Sequence, residues 1–311
     1  MDNNNTKMFA LEDGTMVNEK EFMRRNRIPN VFELIWKEIK KDPFAIFSVL
    51  MIIFLICVAF IWGNLIDEAY ISRISIMRRD LPPSQFPPLG TDEGGRPFLQ
   101  WLIVSWRNSL QLSFMVAIPI LVIGTLVGMF IGYYGGYADL IVLRIIDIIV
   151  MIPGIMVIIL ASAVLPRWGV LEFALVMIIM GWFGGARSLR ARVMQETARD
   201  YVMASKTLGT PNVKIIFKKI FPNVLSFVLV TGILSIAGTI GFETGLTVLG
   251  YGLPVGTPSI GRIIAVGMNP IVLANRQWQW VPAVAIIFLF SISILGLGEA
   301  VKRAVNPRQR R

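Results

Sequence analysis

Apolar residues fall along this chain in separated blocks rather than evenly, and several blocks have membrane-crossing length. A helix rises about 1.5 Å per residue, so roughly 20 apolar residues cross the hydrocarbon layer. Six blocks read as spans: 44–63, 110–131, 140–165, 168–182, 224–239 and 281–297. The fourth is short, but Trp168 and Trp182 at its ends suit interfacial anchoring. The pattern predicts an all-α integral membrane protein with six transmembrane helices. A polar stretch, 19–41, predicts a surface helix ahead of the first span, interrupted at Pro29. The segment before Glu19 is expected to be flexible. Polar and glycine-rich connections at 64–108 and 240–280 are the long loops, the second with short helices dipping back toward the spans.

Charge sets the direction of threading. Of the 30 Lys and Arg residues, 22 fall on the side of both termini: the N-terminal tail, Arg144, the 187–219 connection and the C-terminal tail. The positive-inside rule then places both termini in the cytoplasm of a multi-pass protein of the cell membrane. The chain divides into a cytoplasmic N-terminal segment 1–42, a six-span domain 43–301 and a cytoplasmic tail 302–311. The net charge of +10 is on this view topological, and no nucleic-acid partner is expected.

Composition removes whole classes of chemistry. The chain is 55% hydrophobic and 16% charged, too apolar for a soluble domain of 311 residues. It has no His and one Cys, Cys57, which excludes histidine general-base chemistry, histidine metal ligation and an intrachain disulfide. No glycine–lysine phosphate loop of the Walker type occurs. No catalytic residue, metal site or cofactor is expected in this chain.

The connection at about 187–222 is too patterned for a passive linker. Gly209 can take the left-handed conformation that stops a helix. Thr210 is a good N-cap and Pro211 a good first helical residue, so two short helices should meet at an angle. Ala204 and Ser205 are small enough to let that corner enter a groove on a partner. A basic amphipathic segment resting on anionic lipid is the plainer reading.

The same residues resemble a known signature. Met203-Ala204-Ser205, then Gly209, then Pro222 thirteen positions on, is similar to the Glu-Ala-Ala loop of binding-protein-dependent ABC importer permeases. Met203 stands where that family has glutamate, Ser205 where it has alanine and Phe221 where it has leucine. Further matches resemble the dipeptide and oligopeptide permeases of the C-subunit type. They are Leu89-Gly90-Thr91-Asp92-Glu93-Gly94-Gly95-Arg96 with Arg107-Asn108-Ser109, Gly132-Tyr133-Tyr134-Gly135-Gly136-Tyr137-Ala138-Asp139, Leu249-Gly250-Tyr251-Gly252, and Asn306-Pro307-Arg308. Pro97, Gln100 and Trp101 depart from that pattern.

The resemblance implies the permease fold of type I ABC importers and an ATP-driven importer of oligopeptides or dipeptides. Its implied partners are a second, related permease, two ATP-binding subunits that hold ATP and Mg, and an extracytoplasmic peptide-binding protein. Met203, Ala204, Ser205, Gly209 and Pro222 would couple the chain to an ATP-binding subunit. Nickel or another chelated metal is the alternative cargo, and a stand-alone secondary transporter the alternative class. Three charged residues are candidates for the pathway. Arg144 and Asp147, three apart on one helix face, form either a structural pair that neutralises itself or a partner helix, or a gating contact in the inward face of the pathway. Glu243 either lines the pathway or is a water-exposed or glycine-loop-bonded carboxylate. The Tyr133–Tyr137 turn, Trp278 and Trp280 read as interfacial aromatics.

Overall fold

The computed structural model describes residues 8–10, 16–18, 31–165, 167–254 and 256–305. It is almost entirely helical. The exception at the N-terminus is a two-stranded antiparallel ribbon, β1 (Met8–Ala10) and β2 (Met16–Asn18), where a flexible segment was expected. Helix α1 (Val31–Ile39) follows; of the expected 19–41 helix, 19–30 lie outside the described residues and Lys40–Lys41 form a turn. The chain then runs α2 (Pro43–Leu65), α3 (Glu68–Ile71), α4 (Phe98–Tyr134), α5 (Gly136–Val150), α6 (Gly154–Val164) and α7 (Val170–Thr197). It ends with α8 (Asp200–Thr207), α9 (Asn212–Val248), α10 (Ile260–Gly267), α11 (Pro270–Asn275) and α12 (Val281–Val305). The Asn306-Pro307-Arg308 motif lies outside the described residues.

Among the described residues five helices (α2, α4, α7, α9 and α12) are long and apolar enough to cross a membrane, and the bent pair α5–α6 makes a sixth. Only 22% to 33% of the apolar window of each of the five is buried. Most of their apolar surface therefore faces outward, the inverse of a soluble bundle, and must meet lipid or protein.

Several boundaries differ from the pattern reading, each for a physical reason. The expected 140–165 span is bent by 69° between α5 and α6. Pro153 sits at that break, where it lacks the N–H a continuous helix needs and restricts the residue before it. The expected 110–131 span is the middle of a 37-residue helix of about 55 Å. That helix carries Arg107, which was assigned to a loop, into the protein interior. Its guanidinium reaches Gly63 O at 2.9 Å and pairs with Glu68, so it closes the end of α2. The expected 168–182 span runs on to Thr197, because Arg187 and Arg190 find carboxylates on α5 instead of ending the helix in water. The expected 224–239 span continues to Val248 through glycines that dilute its hydropathy.

Helix α4 is the axis of the fold. Gly124, Gly128 and Gly132 let α7 lie close along it. A Cβ on Gly128 would stand 2.7 Å from Ala186 O, and one on Gly132 2.8 Å from Arg190 O. This is the small-residue seam by which membrane helices pack without a hydrophobic driving force. At one end of the molecule, α1 lies against α12, where Ile35, Ile39 and Ala45 pack with Leu297 and Ala300. Arg303 of α12 pairs there with Asp42 and, at 3.8 Å, with Glu38.

Candidate functional site

The conspicuous local structure is the corner between α7 and α9. Helix α8 ends where Gly209, at φ +71°, turns left-handed. Gly209 N–H donates to Lys206 O at 3.0 Å and Thr210 N–H to Ser205 O at 3.1 Å, the paired bonds of a Schellman stop. The next helix starts at Asn212, with Pro211 as its N-cap rather than its first residue. It is no separate short helix: it continues through a widened turn at Ile216–Ile220 into α9. The corner is therefore continuous with a 37-residue helix.

Two faces of the corner have different jobs. Val202, Ile215, Ile216 and Ile220 are buried with Met129 and Tyr133 of α4 and Leu189 and Val193 of α7. Met203, Ala204, Leu208 and Val213 are exposed, with Leu208 84% open. Ser205 was expected on the docking face with Ala204. It is buried instead, and its hydroxyl donates to Tyr201 O at 2.7 Å. Pro222 is exposed in the first turn of the α9 segment that begins at Phe221.

The corner is braced by polar side chains. Tyr133, buried at the end of α4, donates from its hydroxyl to Asn212 Oδ1 at 2.8 Å, and Lys206 stands over its ring at 4.8 Å. Tyr133 is thus a corner contact rather than an interfacial aromatic. Asn223 donates to Tyr201 Oη, and the Tyr201 hydroxyl donates to Glu196 Oε2, both at 2.9 Å. Burial, then the bond to Glu196, pushes the Tyr201 phenol above its ordinary range, so it remains the donor. Two ion pairs tie α5 to α7 beside the corner, Asp139 to Arg190 and Asp147 to Arg187. Of the two structural readings, Arg144 and Asp147 do not pair with each other: Asp147 pairs with the neighbouring helix α7, and Arg144 is exposed. The legible signal for these pairs was two aspartates eight residues apart opposite two arginines three apart.

At the far end of α4 the chain builds a cap. Asn108 donates to Pro258 O at 3.1 Å, and Ser109 Oγ accepts from Ile260 N–H at 3.0 Å, which seats the start of α10 on α4. Glu243 is here, inside α9 and 1% exposed, not a water-exposed carboxylate. It accepts from Thr247 Oγ1 at 2.7 Å. Gly261 lets α10 press onto it, since a Cβ there would come within 2.9 Å of Glu243 Oε1. The 72–97 loop closes over this end. Arg276 pairs with Asp80 at 2.7 Å, and Gln279 donates to Asp80 Oδ1 and Thr91 O at 3.0 and 2.9 Å. Trp278 and Trp280, expected at the interface, are packing groups: Trp278 donates to Thr91 O, and Trp280 lies against Gly267.

The corner, its brace and the cap are thus the two ends of one helical axis. They bring Met203, Ala204, Ser205, Gly209 and Pro222 to one end of the molecule and Glu243 to the other. Arg144 and Asp147 lie on α5. Among the described residues no cluster of three or more Cys, Asp or Glu could hold a metal ion.

Comparison with known proteins agrees with this architecture. Residues 124–311 match the family described as binding-protein-dependent transport system inner membrane component. The chain is 38% identical over 274 residues to the oligopeptide transport system permease protein OppC of Lactococcus lactis, covering 88% of this chain and 93% of that one. It is 32% identical over 277 residues to the dipeptide transport system permease protein DppC of Bacillus subtilis, covering 89% and 85%. The OppC of Bacillus subtilis is 31% identical over 283 residues, covering 89% and 91%. With a family match over more than half its length and relatives aligned along nearly all of theirs, this chain belongs to the inner-membrane permeases of binding-protein-dependent ABC transporters, in the group of the oligopeptide and dipeptide permeases.

Proposed function

We propose that the chain forms half of the pathway of an ATP-driven peptide importer and is worked through the 200–212 corner. The observation that carries this reading is the division of that corner. One face is apolar and exposed (Met203, Ala204, Leu208). The other is locked by buried aliphatics and a tyrosine–asparagine brace onto α4 and α7. A surface loop resting on lipid needs no such brace.

The coupling is mechanical. An ATP-binding subunit seated on the exposed face pushes on α8, and Gly209 fixes the angle at which α8 meets α9. Asn212 and Tyr133 pass the displacement to α4, and Asn108 and Ser109 at the other end of α4 pass it to α10. A rigid helix joined at both ends transmits such a shift because packed interfaces hold discrete arrangements rather than deforming smoothly. Glu243, under α10, then sits where the pathway wall would change shape. The working complex contains a second, related permease, two ATP-binding subunits that hold ATP and Mg, and an extracytoplasmic peptide-binding protein. The corner and both termini are cytoplasmic, with the cap outside. ATP hydrolysis belongs to the partner subunits, and peptide cargo follows from the OppC and DppC relatives.

Affinity purification of the tagged chain in mild detergent tests this composition. Recovery of an ATP-binding subunit, a second permease and a peptide-loaded binding protein is the expected result. A chain that purifies alone and transports without ATP contradicts it, and a metal chelate in the binding protein would change the cargo but not the class.

A further inference from the structure

The cap holds a cavity of about 150 Å³ between the 92–101 segment and α10, apart from the coupling corner and from Glu243. One wall is apolar: Phe98, Trp101 and Ile263 are each at most 5% exposed. The rest of the lining is polar and only partly satisfied by the described residues. Gln279 is 2% exposed, and its amide nitrogen donates to both Asp80 Oδ1 and Thr91 O. That fixes the orientation of the amide and leaves Oε1 buried with no donor among the described residues. Arg96 stands over the Trp101 ring at 4.2 Å and meets Asp92 through Nη1 at 3.5 Å, yet its Nε is buried with no acceptor among them. Asp92 is already engaged, since Oδ1 accepts from the N–H groups of Gly94 and Arg96. Glu93 and Arg262 also line the cavity; they are exposed, opposite in sign, and have no ion-pair partner among the described residues.

We propose that this cavity binds a free α-amino acid with a short side chain, held as its zwitterion. The lining asks for both signs at once: Arg96 Nε and Arg262 need an acceptor, Gln279 Oε1 and Glu93 a donor. Buried polar atoms are rarely left unpaired, so the pattern describes an occupant that supplies both. The carboxylate meets Arg96 Nε and Arg262, the ammonium meets Gln279 Oε1 and Glu93, and the side chain lies on the apolar wall. Size agrees. A cavity of about 150 Å³ takes a molecule of roughly benzene's size, which alanine matches and a dipeptide exceeds. An inorganic ion answers one sign only, and a sugar has no charge for Glu93 or Arg262. Glu93 and Arg96 belong to the 92–101 segment, Arg262 to α10 and Gln279 to the turn before α12, so each end of the amino acid joins two separate parts of the cap. The site is independent of the coupling corner and does not rest on the importer reading.

The test is equilibrium binding of tritiated L-alanine to the complex that co-purifies with the tagged chain, held in lipid nanodiscs. Saturable binding is expected, displaced by unlabelled alanine or serine but not by acetate or methylammonium, which carry one charge each. Glu93→Gln and Arg262→Gln are each expected to weaken it about tenfold, the loss of one charge-assisted hydrogen bond. Both side chains are exposed, so the variants should assemble and melt as the unaltered complex does. No saturable binding means that the cavity holds water alone and overturns the site. Binding unchanged in both variants places the amino acid elsewhere in the complex and overturns it too. Displacement by alanylalanine at concentrations equal to or below those of alanine makes the cavity a cargo subsite and overturns the free amino acid as its occupant. None of these outcomes decides the importer reading, which stands or falls on ATP-driven uptake.

Discussion

Gly209 shows how much one residue can carry. Its φ of +71° places the backbone where a side chain with a Cβ is strained by roughly 1–2 kcal/mol, more for a branched one. Gly209→Val is therefore expected to misdirect α8, leaving the complex assembled but with cargo-stimulated ATP hydrolysis reduced several-fold. Tyr133→Phe removes one partly buried bond to Asn212, worth about 1 kcal/mol. It should lower uptake per ATP, read by counting both in proteoliposomes, while Asn212→Ala in the same background adds little further loss. Asp92 gives a pH signature. Burial, opposed by the Arg96 N–H and charge, holds its carboxyl above the ordinary 3.8. The folded cap thus binds that proton more tightly than the unfolded chain does, so this contribution to stability is full at low pH and is lost as pH rises through the raised value. Against Asp92→Asn, the unaltered complex should lose thermal stability as pH rises above 3.8 and through the raised value of Asp92. Gly209 was legible because a helix stop leaves its mark in one residue. Ser205 and Glu243 were not, because which way a side chain faces depends on helices distant in sequence.

At the scale of elements, the spans were legible and their ends were not. Hydropathy reports where lipid contact begins and ends, but a helix ends where its backbone or its polar groups run out of partners. Arg187 and Arg190 would mark a helix end in water; opposite Asp147 and Asp139 they extend α7 past its apolar stretch. Glycines near Glu243 lower the local hydropathy of α9 without stopping it, and α10 packs onto that stretch through its own Gly261. The bend at Pro153 was readable as a proline but not as a 69° turn. The glycine seam between α4 and α7 yields a direct prediction. Gly128→Leu must push Ala186 away and is expected to lower the melting temperature of the purified complex sharply. Gly184→Ala on α7, where nothing lies within 4 Å, should be neutral or slightly stabilising, because alanine favours a helix by up to about 1 kcal/mol over glycine. Equal effects at the two glycines would mean that the seam does not hold the helices.

On the scale of the whole molecule, α4 joins two built ends, a braced corner and a closed cap, through a body whose outward surface is mostly apolar. Family and class were readable from motif spacing, since Gly209 and Pro222 keep their distance even where Met203 and Ser205 replace the usual residues. The connections between the ends were not, because the ties at Tyr133–Asn212 and Ser109–Ile260 span 79 and 151 positions of sequence. The most direct test of coupling through the corner is peptide uptake and ATP hydrolysis measured together in proteoliposomes containing the full complex, with and without disruption of residues 204–209. The account predicts that the unaltered complex accumulates peptide only with ATP and that the disrupted one no longer links hydrolysis to uptake. Uptake that stays coupled after the corner is disrupted would contradict it.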